Sequence, residues 1–215
     1  LANTTGVDNI AIGYQALDAN TTASENTAVG KSALGANTTG SYNTALGINS
    51  LTTNTTGANN VALGRKALNT NSTGSTNTAV GDSALFGNTT ASNNTAVGRA
   101  ALQTNETGTA NVAVGANALD ANTTGAGSVA IGYEALTAST TGGQQVAIGY
   151  RALKTTTTNE DNVAIGYEAL EACTSGKNTA VGWNAIKTDS GAVYCTAVGY
   201  DALAHQTGTR SHNTA

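Results

Sequence analysis

One phrase, N-[TV]-A-[VIL]-G-x-x-A-L-x-x-N-T-T-G-x-x, runs through the chain and limits its fold more than any other feature. Its Gly recurs at Gly13, Gly30, Gly47 and so on to Gly166, Gly182 and Gly199, in ten steps of 17 residues and one of 16. Self-similarity at so short a fixed period means an array in which each unit is completed only by its neighbours. Residues 1–215 therefore form a single repeat array of about twelve 17-residue coils, and a thirteenth begins at Asn213. Both ends fall inside the phrase and the first residue is Leu1, so the array is expected to be a window of a longer or processed protein.

The repeats act as controls for one another, because a column that packing does not constrain is free to drift. The residue before the recurring Ala is always β-branched (Ile10, Thr27, Thr44, Val61 through Thr196), which favours strand, and the residue after it is always aliphatic. The Ala between them (Ala11, Ala28, Ala45 through Ala197) never changes. In a period-2 strand the β-branched and aliphatic groups share one face, and Asn, Ala and Gly share the other. An Ala face open to water would drift, so both faces are expected to be buried. The next fixed pair, Ala16-Leu17 and its equivalents, suggests a second short strand per repeat. Gly after the first strand and the Asn-Thr-Thr-Gly phrase supply the reversals.

A helical reading fails, since two Gly per repeat with Asn and β-branched residues leave no apolar stripe of 3.6-residue period. The expected fold is all-β, a parallel β-solenoid rising by one strand spacing, roughly 4.8 Å, per coil. Aromatic residues are only 4% of the chain, so one coil encloses little beyond two or three aliphatics and Ala. Packing the second face against another copy completes the core. A cyclic homo-oligomer is the natural arrangement for identical stacked contacts.

Val129-Ala130-Ile131-Gly132-Tyr133-Glu134-Ala135 and its equivalents at Val146 and Val163 resemble the head repeats of trimeric autotransporter adhesins. The Asn-Thr-Ala-Val-Gly version is similar to repeat shafts of phage tail fibres and bacterial surface fibres. The resemblance covers essentially the whole chain. It implies a left-handed β-roll assembled as a homotrimer, with a fibrous or adhesive, non-enzymatic role outside the cell, on a cell surface or a virion.

The residues themselves offer no catalytic constellation, metal site or cofactor motif. His205 and His212 lack carboxylates or Cys at ligand spacing and read as surface residues. A formal charge of −4 and 10% charged residues provide no basic footprint for nucleic acid, and no apolar run reaches the ~18 residues of a membrane span. Cys173 and Cys195 stand in different columns; they read as isolated thiols, with pairing to a neighbouring chain as the sharper alternative. Asn3, Asn20, Asn37, Asn54, Asn71, Asn88, Asn105 and Asn122 each begin an N-x-S/T sequon, but their place in a required turn favours an Asn ladder over glycan attachment.

The column after each Gly carries the ligand-binding candidates. It is mixed in the first seven coils and then becomes Tyr133, Tyr150, Tyr167, Trp183 and Tyr200. Aromatic faces exposed in a row would bind a cell-surface glycan or host receptor by stacking, whereas the same ladder also stabilises a solenoid by stacking on itself. Beside it Glu134, Arg151 and Glu168 alternate in sign, as inter-coil ion pairs would. An ice- or crystal-binding solenoid is the alternative from another class. It is disfavoured on two grounds: the Thr beside Ala alternates with Val as a core residue would, and the outward columns are expected not to be uniformly Thr.

Overall fold

The computed structural model describes residues 2–189, 191–206 and 212–215. Twelve three-residue strands, one per repeat, run from Ile10–Ile12, Thr27–Val29 and Thr44–Leu46 to Thr179–Val181 and Thr196–Val198. Each pairs in parallel with the next along the chain, so Ala11, Ala28 and Ala45 lie in register. Twelve strands bound eleven complete turns of a parallel β-solenoid with about 17 residues per turn, and no helix occurs among the described residues. The single 16-residue step leaves the register intact, pairing Val163 with Thr179. The missing residue is taken from the turn, where Cys173 and Asn178 are five apart and Asn20 and Asn26 are six.

The expected second strand is absent from the first nine coils. A two-residue strand follows the Ala-Leu pair only in the last coils, at Ala172–Cys173, Thr188–Asp189 and His205–Gln206, which form a separate three-stranded sheet. Elsewhere Ala-Leu lies in a turn whose residues alternate into the left-handed region: Gln15 has φ 56° and Leu17 φ 50°, and this repeats in every coil. That alternation lets adjacent Ala and Leu side chains both point inward, which a pleated strand forbids. Neighbouring coils hold the strained turn in place through bonds such as Leu17 N–H to the Ala33 carbonyl (3.0 Å) and Ala19 N–H to the Gly35 carbonyl (3.1 Å).

The strand faces are also the reverse of the expectation that aliphatics fill the coil. From Ala28 to Ala197 the strand Ala residues are fully buried, while Ala11 in the first coil is exposed; their β-branched and aliphatic neighbours point out: Ile12 is 60% exposed, Leu63 41% and Val198 63%. The interior is a stack of layers in which small Ala28 and Ala33 pack with large Leu34, and so on along the array. A coil this narrow has room for one large side chain per layer, and the turn Leu takes it. The chain buries only the Ala face, leaving the aliphatic one open.

Polar ladders fill the rest of the interior. Asn37 Nδ2 donates to Asn20 Oδ1 at 3.1 Å and to the Gly40 carbonyl at 2.9 Å, and Asn54 repeats both bonds to Asn37 and Gly57. A second ladder runs beside it, in which the Asn60 N–H donates to Asn43 Oδ1 and Asn60 Nδ2 to the Gly74 carbonyl, both at 2.9 Å. The sequon Asn residues from Asn20 to Asn122 are at most 1% exposed, so the ladder accounts for them. The first-strand Gly residues make the reversal, as expected: Gly64 has φ 134°, and a Cβ there would lie 2.5 Å from the Gly81 carbonyl oxygen.

Candidate functional site

The residue after each reversal Gly is aimed outward by the same turn in every coil, so like residues lie one coil rise apart. Tyr133, Tyr150, Tyr167, Trp183 and Tyr200 form a continuous stack with centroid separations of 5.6, 5.0, 5.8 and 4.8 Å and interplanar angles of 4–14°. A guest ring would need about 7 Å between two hosts. The faces between neighbours are therefore spent on one another, which corrects the expectation of faces open in a row. Outward, the ladder presents ring edges, with Tyr133, Tyr167 and Trp183 each 41–44% exposed.

A band of ion pairs flanks the ladder. Glu134 Oε2 accepts from Arg151 Nε and from Lys154 Nζ, each at 3.0 Å, and Arg151 also lies over the Tyr150 ring at 5.0 Å. Glu168 pairs with Lys187, which reaches Glu171 at 3.7 Å. The expected alternation is thus realised between Arg151 and Glu134, while Glu168 takes Lys187 as its partner. Lys154, Glu171 and Lys187 were not foreseen. The signal lies in the spacing, since Lys154 and Lys187 sit 20 and 19 residues after their carboxylates, one coil plus a few residues along the turn.

The field of this band shows in its titration. The Lys154 ammonium holds the Glu134 carboxyl below the usual carboxylate range. The bond to Glu134 raises Tyr133, and Glu168 raises Lys187. For Tyr167, loss of hydration and then Glu168 raise the phenol. All of these favour the paired charge states, and at this exposure each pair contributes little.

The other candidates resolve without chemistry. His205 Nδ1 lies 3.1 Å from the Thr188 hydroxyl, and the His212 ring stacks on Tyr194 at 5.0 Å. Among the described residues no three His, Cys, Asp or Glu side chains gather as a metal site. Cys173 and Cys195 are each only 1% exposed inside the coil, so neither thiol is presented to a neighbouring chain. They take places in the two polar ladders: Cys173 lies 3.6 Å from Asp189 Oδ2, and the Cys195 N–H donates to Asn178 Oδ1 at 2.9 Å. Burial pushes the Cys173 thiol up to about 11.

Compared with known proteins, the chain matches no family model, no curated protein and no solved structure.

Proposed function

We propose that the chain is a segment of a non-enzymatic fibre or adhesin exposed on a cell surface or virion, assembled as a homotrimer through the open sheet face. One observation carries this reading. Two outward rows of Thr, Val, Ile and Leu run the length of the twelve-stranded sheet without a charged residue, and members such as Ile10, Ile12, Leu46, Leu63 and Val198 are 41–63% exposed. A contiguous apolar strip of this length is what an obligate homo-oligomer covers. A second copy fits it on chemical grounds: the strip repeats at the coil rise, and another copy offers the same apolar rows at the same spacing.

Such an assembly supplies length, rigidity and a repeated surface. The strip of ring edges at Tyr133, Tyr150, Tyr167, Trp183 and Tyr200, with its ion-paired border, is the surface proposed to contact a host glycan or receptor. Its phenol hydroxyls and charged groups face a sugar's hydroxyls, while the ring edges meet its apolar patches.

Charged substitutions on the open face test the assembly. Leu63→Lys and Val97→Lys are expected to turn trimers into monomers with the solenoid's circular dichroism unchanged, and trimers that persist through both would count against this face. For attachment, replacing Tyr150, Tyr167 and Trp183 with Ala should abolish cell or glycan-array binding while assembly survives. Should the rod melt while surviving trimers still bind, the ladder is structural only.

A further inference from the structure

A different surface draws attention because it is more uniform than packing requires. The second Thr of each Asn-Thr-Thr-Gly phrase, from Thr5, Thr22 and Thr39 to Thr124, Thr141 and Thr158, is Thr in ten consecutive coils and exposed in every one. The outward columns taken together are not uniformly Thr, as expected, but this one is over ten coils. The strand Thr that alternates with Val also points outward and is not a core residue. The first ground for setting a lattice-binding surface aside therefore falls, and the second does not apply to this column.

The adjacent Thr column shows what a structural Thr does here. The hydroxyls of Thr21, Thr38 and Thr55 donate to the carbonyls of Thr38, Thr55 and Ser72 at 2.9–3.0 Å, tying coil to coil. That working column nevertheless tolerates Ser72 and Glu106. Over those ten coils the exposed column holds Thr alone, although no hydroxyl in it bonds to the protein; it ends where the eleventh coil is one residue shorter and the twelfth carries Gly191. Shared descent of the repeats does not explain this, because the exposed column three residues on runs Asp8, Glu25, Tyr42, Asn59, Thr76, Asn93 through the same copies. What holds the row uniform lies outside the fold.

The row is also rigid. The N–H groups of Thr22, Thr39 and Thr56 donate to the next coil's carbonyl at 3.2–3.4 Å, and β-branching restricts the side chains. Each coil presents one hydroxyl and one methyl, one strand spacing, roughly 4.8 Å, from the next. A single exposed hydroxyl bond gains little over its bond to water, so ten in fixed register matter only to a partner that is itself rigid and periodic. Crystalline polysaccharide and ice both meet that description. A polysaccharide surface is gripped by aromatic platforms, and this row has none. Solid water accepts and donates to hydroxyls and closes around methyls.

We propose that the Thr5–Thr158 row is an ice-binding surface. It is independent of the sheet face and does not rest on the trimer reading. The test measures thermal hysteresis and ice adsorption of the 215-residue chain beside Thr56→Lys/Thr73→Lys/Thr90→Lys, with circular dichroism melting and sedimentation as controls for the fold. The native chain is expected to hold a gap between melting and freezing and to enter ice, and the triple variant to lose most of both with melting and sedimentation unchanged. The neighbouring-column variant Asn59→Lys/Asn93→Lys should retain both; equal loss there would overturn the assignment. If the triple variant unfolds, Thr73→Lys alone is compared in its place, and undiminished activity in that variant counts against the row. A native chain without hysteresis or ice adsorption overturns the proposal, and so does retention on chitin or cellulose, lost in the Thr variants, in the absence of ice activity.

Discussion

Replacing Asn71 with Ala tests whether the buried amide ladder holds the coils together. Asn71 is fully buried; its Nδ2 donates to Asn54 Oδ1 and to the Gly74 carbonyl, each at 2.9 Å, and its Oδ1 accepts from Asn88 Nδ2 at 2.7 Å. The Gly74 carbonyl keeps a donor from Asn60, and Asn88 keeps its bond to the Ala91 carbonyl. Asn54 Oδ1 loses its donor in a site closed to water. Three buried bonds at about 1 kcal/mol each, with an orphaned acceptor and a small cavity, give a loss of about 4 kcal/mol. Urea denaturation followed by circular dichroism measures it. Because stability in a linear array is a sum over neighbouring interfaces, a lesion in the middle should also broaden or split the transition. A loss below about 1 kcal/mol with an unchanged single transition would mean that the amide ladder does not hold the coils together.

Two further predictions follow from the coils where the ladder changes composition. Ser139 takes an Asn place and Gln145 fills the space beside it, with Gln145 Nε2 3.4 Å from the Ser139 hydroxyl, which leaves Asn122 Oδ1 buried without a partner. Restoring both to Asn should stabilise the chain by about 1–2 kcal/mol in the same assay, whereas Ser139→Asn alone meets Gln145 and gains less. Cys173 sits neutral in the fold with its thiol raised to about 11 from an ordinary 9.0. Its contribution is therefore complete below pH 9 and lost as pH rises towards 11, the unfolded chain releasing its proton first. Alkaline melting curves should show this decline in the native chain and a shallower one in Cys173→Ser.

The period, the positions of the first strand in each coil and the reversal Gly residues were legible because each is a column that steric need holds constant. Which face turns inward was not. Hydrophobicity favours burying Val and Ile, but the width of the coil decides, and Leu34 from the turn leaves space only for Ala28 and Ala33 beside it. The left-handed Leu was equally hidden, since Leu seldom adopts φ near 50° and does so here only because the adjacent coils bind its backbone. In the aromatic ladder the column was plain and so was self-stacking as one of its two readings. The Lys154 and Lys187 partners were missed because contacts one coil plus a few residues away depend on the turn's path, and that path was first taken for a strand.

If the open aliphatic face is an interface between copies of this chain, sedimentation equilibrium of the native chain will show it. The expected result is a single species at three times the 21.2 kDa chain mass, persisting on dilution. A folded species at 21.2 kDa, with the sheet's circular dichroism and cooperative melting intact, would contradict it.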